Sequence, residues 1–354
     1  MAIQPSQFDK RRKKEKWLKL ALFISSLAAL LLLISIIFGF WLSFMPQTVS
    51  ADLDEPLTEA QQLKAEQIKR DVEHLAGTIG ERNMHTPGTM DTAAAFLEVR
   101  FSSMGYDVEK QQYTLRRGVY SGRTAVNLVV EIPGSELQDE IVVMGAHYDT
   151  VPGSPGANDN ASGVAVLLAA AQEMADSKPL RTIRFVAFAN EEPPFFQTPD
   201  MGSYAYARRS SELGENIVAM IALDGLGYYD DSDGSQSYPL PGLGFAYSDR
   251  ADFIGLVTRL SDLGLLKEVS KAFKDKEMIP SESAALPGFL PGVNWSDHWS
   301  FWQYDYNAML ITDTLPFRDP AYHSAGDTPE RLNYDKMARL TTVLIHAIEE
   351  LSSE

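Results

Sequence analysis

The stretch "EIVVMGAHYD", residues 140–149, carries no polar side chain from Ile141 to Ala146 and closes on His147 and Asp149. A strand with one solvated face alternates apolar and polar residues, so a continuous apolar run marks a strand covered on both faces, as in a parallel sheet. Downstream, "GVAVLLAAAQEMA" (163–175) reads as a buried helix, "RTIRFVAFANEE" (181–192) as a strand, "MGSYAYARRSSEL" (201–213) as a helix and "NIVAMIALDG" (216–225) as a strand. Upstream, "DVEKQQYTL" (107–115) and "TAVNLVVEI" (124–132) alternate as strands, and residues 58–76 and 89–104 are helical, the second ending near Gly105. Strands alternating with helices predict one α/β domain from about residue 65 to 354, with a mostly parallel central sheet and helices on both faces. Residues 225–250 and 270–294, rich in Gly, Pro, Ser and Asp, read as long loops, either walls of a binding site or plain surface insertions. The sequence contains no internal repeat.

The chain has 354 residues, 45% of them hydrophobic, enough to bury a sizeable core. It has no cysteine, so any metal must rest on His, Asp and Glu. Residues 1–50 hold seven basic residues, Lys10 to Lys19, against Asp9 and Glu15, a net of +5 that leaves −22 for the rest. So acidic a body argues against a nucleic-acid partner, because phosphate contacts need clustered Lys and Arg.

The basic segment precedes "ALFISSLAALLLLISIIFGFWLSFM", residues 21–45, which has no charge. As a helix it measures about 37 Å, enough for a bilayer core of roughly 30 Å. The expected organisation is a basic cytoplasmic tail (1–20), a transmembrane helix in contact with lipid (21–45), a linker (46–64) and the catalytic domain (65–354) on the extracytoplasmic side. The alternative is a signal peptide cleaved after Ala51, although the apolar run is nearly twice the usual length for one.

Three of the predicted strands end on ionisable residues: His147 with Asp149, Glu191 with Glu192, and Asp224. In an open α/β sheet such carboxyl ends share one edge, where ligands bind. His147 and Asp149, two apart on a strand, point to the same face. Asp149 can then accept from one imidazole nitrogen while the other binds a metal, although His-x-Asp alone equally fits a structural histidine. Adjacent Glu191 and Glu192 diverge, so one can bind metal and the other serve as a base; a Glu pair at a strand end is otherwise simply solvated. In "GANDNASG" (156–163), Asp159 is either a helix cap or a ligand, given small neighbours that allow close approach. His74 and His346 fall in predicted helices and His85 in a turn, positions that suit structural or surface residues.

"GAHYDT", "GANDNASG", "FANEE", "IALDG", "WSDHWSF" and "YHSAGDT" occur here in the order in which they occur in a known family. The chain from about residue 65 to 354 resembles the co-catalytic zinc exopeptidases of metallopeptidase family twenty-eight, which includes bacterial leucine aminopeptidases and glutamate carboxypeptidases. The resemblance implies the zinc exopeptidase fold and two zinc ions per chain. His147 and Asp224 would bind one ion, Glu192 and His323 the other, and Asp159 would bridge them. Glu191 would be the general base and Asp149 the partner of His147. Asp297 and His298 would line the substrate cleft. "QYDYNAM" (303–309) departs from the shorter Gly- and Pro-containing connection of the family.

The function implied is a membrane-anchored aminopeptidase acting on peptides outside the cytoplasm. Alternatives are a carboxypeptidase of the same family, a glutaminyl cyclase-like acyltransferase, and a non-enzymatic receptor or adhesion ectodomain. The absence of an inserted domain and of an Arg cluster disfavours the carboxypeptidase, "GANDNASG" disfavours the cyclase, and the full ligand set disfavours the ectodomain.

Overall fold

The computed structural model describes residues 7–46, 48–53, 55–240 and 242–353. The chain divides into two compact units, Met1–Met45 and Pro46–Glu354. The first holds one helix, α1 (Gln7–Phe44). Among the described residues no helix is long and apolar enough to cross a membrane. This corrects the transmembrane helix expected over residues 21–45, and the lipid contact expected with it. A span needs about 20 consecutive apolar residues; the described side chains form no such run, and those of residues 31, 34–38, 40, 42 and 43 lie outside the described residues.

The second unit is built on eight strands: β1 (Glu109–Thr114), β2 (Thr124–Ile132), β3 (Leu137–His147), β4 (Arg181–Phe188), β5 (Asn216–Leu223), β6 (Ile254–Arg259), β7 (Ser281–Leu286) and β8 (Ala308–Thr312). They form one sheet in the order β1-β2-β4-β3-β5-β8-β6-β7. The expectation of a mostly parallel sheet is corrected to a mixed one. The central β4, β3, β5 and β8 run parallel, as do β6 and β7, whereas β1/β2, β2/β4 and β6/β8 are antiparallel. The loop from residue 115 to 123 joining β1 to β2 is too short for the crossover that parallel pairing requires.

Seven helices complete the unit: α2 (Glu59–Val72), α3 (Thr89–Ser103), α4 (Gly163–Met174), α5 (Gly202–Leu213), α6 (Leu263–Lys276), α7 (His298–Trp302) and α8 (Tyr334–Ser353). α2, α4, α6 and α8 pack against one another as a layer. α8 buries Met337, Leu340, Leu344, Ile348 and Leu351, the three-and-four spacing of a single helix face. On the other sheet face, Tyr206 of α5 and Phe301 and Trp302 of α7 form one core cluster with Ile141, Val143, Val186, Phe188, Met220 and Leu310.

His147 has the same parity along β3 as Ile141 and Val143, so it stands on this second face. Between them, a Cβ on Gly145 would lie 2.2 Å from the ring of Phe188, so glycine is what lets that ring fill the space beneath His147. α2 falls within the helix expected over residues 58–76, with Thr58 and Gln61 forming a reciprocal capping box, and so shortens the linker expected over 46–64. One stretch read as irregular holds regular elements. α6 and β7 take up much of residues 270–294, and Val49 bridges to Ser281 at the start of β7.

Candidate metal centre

Three adjacent parallel strands meet the same edge, β3 ending on His147, β4 leading through Ala189 and Asn190 to the Glu pair, and β5 leading to Asp224. His147 Nε2 lies 3.4 Å from Asp159 Oδ1 and 3.4 Å from Asp224 Oδ1. His323 Nε2 lies 3.1 Å from Asp159 Oδ2 and 3.3 Å from Glu192 Oε2. Two groups able to hold a cation therefore form, His147/Asp159/Asp224 and Asp159/Glu192/His323, with the two oxygens of Asp159 divided between them. Glu192 Oε1 and His323 Nε2 are buried without a hydrogen-bond partner.

The buried imidazoles and carboxylates of this cluster shift one another's pKa values. Burial works against a charged His147, but Asp224, Asp149 and Asp159 outweigh it and hold the imidazole pKa well above its usual value. His323 is likewise pushed up to about 10, against burial, by Asp159 and Glu192. Burial and the charge of Asp159 push Glu192 up to about 8. Burial raises Glu191 and Asp224 too, each opposed by His147. Asp159 goes the other way, because contacts from both histidines overcome its burial. The raised groups hold their protons more firmly than usual, and a cation bound among them would displace those protons.

Asp159 sits where the helical turn Ala157–Ser162 is interrupted (φ −115°, ψ 89°), and its peptide bond to Asn160 is cis. The loop is held from several sides. Asp327, in the "YHSAGDT" stretch, accepts from the backbone N–H of Asn158 (2.7 Å) and of Asp159 (3.0 Å). The Asn160 side chain donates to the Leu223 carbonyl and accepts from the N–H of Gly163 and Gly225. The buried Arg82 guanidinium donates to the carbonyls of Leu75, Gly80, Tyr148, Pro155 and Gly156. Burial lowers its pKa to about 10. A Cβ on Gly156 (φ 61°) would lie 2.3 Å from Thr150 and 2.4 Å from the Asp159 carbonyl, so the small residues of "GANDNASG" serve backbone packing.

Asp149 accepts from the N–H of Glu191 (2.9 Å) and of Glu192 (3.1 Å), and its Oδ1 lies 3.5 Å from His147 Nδ1. It thus aims the Glu pair more directly than it holds the imidazole. Asn190 (φ 58°) and His323 (φ 55°) occupy the left-handed region that side chains disfavour by roughly 1–2 kcal/mol. Such strain gathers where a side chain must be presented rather than packed.

The cluster opens into a cavity of about 320 Å³ lined by Asp159, Glu191, Glu192, Asp224 and His323 and extending over apolar side chains of β6, β7 and β8. The loops 225–250 and 287–297 supply further walls, including Tyr238, Tyr247, Pro291 and Trp295. Asp297 and His298 are fully buried and do not line it. His298 Nε2 lies 2.8 Å from the Val293 carbonyl and its ring packs edge-on against Trp302. Both Asp297 carboxylate oxygens lack hydrogen-bond partners, and burial pushes the group up to about 7. His74 stacks on Phe96, and His346 lies 3.9 Å from Glu349. Sequence reasoning missed Arg82, an isolated residue in "GERNMH", and gave Asp327 no role although its motif was in view.

The model of Peptidase family M28 matches residues 127–348. The protein YfbL of Escherichia coli (strain K12), described as uncharacterized, is 36% identical over 288 residues, 79% of this chain and 86% of its own length. The LapA aminopeptidase of Legionella pneumophila superposes with a TM-score of 0.64 at 21% identity, covering 87% of this chain and 78% of that one. BSAP, a zinc aminopeptidase from Bacillus subtilis, gives 0.65 at 16% identity, covering 82% and 95%. At these identities the two structures speak for the fold alone.

Proposed function

Because the chain belongs to peptidase family M28 and is a zinc-dependent metallo-exopeptidase, we propose that it is an aminopeptidase holding two zinc ions, which removes the first residue of peptides. The observation that carries the proposal is Asp159, whose two carboxylate oxygens face different histidines 3.4 and 3.1 Å away. In this reading His147 and Asp224 would hold one ion and Glu192 and His323 the other, with Asp159 contributing to both groups. Imidazole nitrogen and carboxylate oxygen are ordinary zinc donors. The buried, unpartnered Glu192 Oε1 and His323 Nε2 suit a site completed by cations.

Once bound, the ions supply Lewis acidity, lowering the pKa of a water and polarising the scissile carbonyl. The chain's own residues do the rest. Glu191 lines the cavity with no assigned part in holding metal; it accepts the water's proton and returns it to the departing amine. Asp149 fixes the backbone of Glu191 and Glu192 through its two hydrogen bonds. The cavity beyond the cluster takes the first side chain of the peptide. We also place the catalytic unit outside the cytoplasm, reading the basic residues Lys10 to Lys19 and the uncharged stretch after them as an export signal; protease accessibility in intact and broken cells tests this.

Two measurements test the enzyme reading. Zinc titration of metal-free protein is expected to saturate at two ions per chain, and Asp159→Asn to hold fewer; a fully loaded, active variant would overturn the shared carboxylate. Matched peptides, free or N-acetylated, are then followed by mass spectrometry. Loss of the first residue from free peptides alone is the expected result, and loss from the C-terminus would transfer the protein to the carboxypeptidases.

A further inference from the structure

The cavity has a second polar end. Leu223 of β5 pairs with Ile311 of β8, so Asp224 falls opposite Thr312. Thr312 pairs with Gly255 of β6, and Gly255 with Glu282 of β7. Asp224, Thr312, Gly255 and Glu282 therefore form one row across the sheet, and registered neighbours present their side chains to the same face. All four line the cavity. Three strand spacings of about 4.8 Å put Glu282 about 14 Å from Asp224, measured along the floor.

Between the two acids the floor is apolar and open. The next row is Leu310, Val257 and Ala284, and Gly255 contributes no side chain to the first. Around Glu282 stand Tyr238 and Tyr247, their rings 5.9 Å apart, with hydroxyls donating to the carbonyls of Ser248 and Ser283. Glu282 is 8% exposed and accepts at Oε2 from the Thr48 hydroxyl at 2.5 Å. It forms no ion pair among the described residues, and burial holds its carboxyl above the usual range. The buried Arg318 does not line the cavity; it donates to Gln236 and to the Phe253 carbonyl.

A carboxylate flanked by tyrosine rings at the end of an apolar trough suits a cation on an aliphatic stem. We infer that Glu282 receives the ammonium or guanidinium of an N-terminal lysine or arginine, so that the enzyme favours peptides beginning with a basic residue. The length agrees. A peptide whose scissile carbonyl lies at the cluster starts a few ångströms along the floor, and an extended lysine stem adds about 6 Å before hydrogen-bond contact. Leucine's side chain ends two bonds short of lysine's ammonium and leaves the buried acid unpaired.

This inference rests on the aminopeptidase reading, and its test separates the two. The zinc-loaded full chain is assayed on peptides differing only in an N-terminal Lys, Arg, Leu or Glu, and binding of free L-lysine and L-norleucine is measured in parallel. Wild type is expected to show at least roughly tenfold higher kcat/KM on Lys and Arg than on Leu. Glu282→Gln, which keeps size and the Thr48 contact, is expected to remove that advantage while leaving Leu within about twofold. Glu282→Lys is expected to turn the preference toward Glu. If Leu peptides are cleaved as fast as Lys peptides, or Glu282→Gln slows both alike, the inference falls and the aminopeptidase reading stands. If no N-terminal residue is released, that reading falls and the amino acids decide: lysine binding at least tenfold tighter than norleucine, lost in Glu282→Gln, upholds Glu282 as a cation site, and equal binding removes it.

Discussion

Asp224 and Glu282 stand at opposite ends of one row across the sheet, and their surroundings differ in kind. At the Asp224 end, within 3.5 Å, imidazoles and carboxylates face one another. At the Glu282 end a single acid meets a threonine hydroxyl among tyrosine rings and apolar strands. The first end is specified by donor chemistry, because only a few residue types can hold a metal or move a proton. The second is specified by shape, which many side chains can supply. The two ends should therefore fail differently, one losing rate and the other losing discrimination.

The sharpest check is Glu191→Gln. It removes the proposed proton carrier from the Asp224 end and is expected to cut turnover at least roughly a hundredfold with metal content and peptide preference unchanged. Near-normal turnover would break the comparison at its strongest point. Asp327→Asn comes next. Asp327 touches no proposed ligand side chain but accepts from the backbone of Asn158 and Asp159, so zinc affinity is expected to fall about 10- to 100-fold, as for other outer partners of metal ligands. Isothermal titration reads this directly, and unchanged affinity would confine the site's demands to its first contacts.

A smaller effect is written in pH. Glu192 at about 8 and His323 at about 10 titrate above their unfolded values of roughly 4.3 and 6.5. Groups raised on folding stabilise the fold fully below the unfolded value and lose that contribution as pH climbs through the folded one. Metal-free protein is thus expected to lose thermal stability between about pH 5 and 10, while the zinc-loaded form, whose ligands are already deprotonated, does not. The Tm difference between the two should widen across that window; a constant difference would mean that the acids do not hold the protons assigned to them. Smallest is Gly255→Ala at the midpoint of the row. Its Cβ would lie 3.3 Å from Thr314 and 3.4 Å from the Thr312 carbonyl, narrowing the trough without touching the cluster. We expect about tenfold weaker KM for long N-terminal side chains, with kcat on N-terminal alanine unchanged. A fall in kcat on alanine would show that the two ends are not separable.

The same division governs what could be read in the sequence. β3, β4 and β5 announce themselves because strands buried on both faces must be apolar throughout, and the residues at their ends are the types that bind metal. β7 does not: "SESAAL" is short, small and polar because it lies at the sheet edge, with alternate residues facing the cavity, and α6 beside it carries six charged residues in fourteen. Arg82 left no signal, since its partners are five main-chain carbonyls that any sequence provides. Asp297 and His298 show the converse. Their residue types advertise chemistry, yet the start of α7 is packed beneath Trp302, so the histidine turns to the Val293 carbonyl.

The tether from Asp327 to the Asp159 loop also has a meaning in the order of synthesis. His147, Asp159, Glu192 and Asp224 leave the ribosome roughly 100 to 180 residues before His323 and Asp327. Until those arrive, the Asn158–Asp159 backbone lacks two of its anchoring bonds and one of the two donor groups lacks its imidazole. A growing chain therefore carries four of the five proposed metal ligands, and the proposed site becomes complete only when the segment bearing His323 and Asp327 docks. Binding at the proposed site is thus acquired only after the eight described strands have been made.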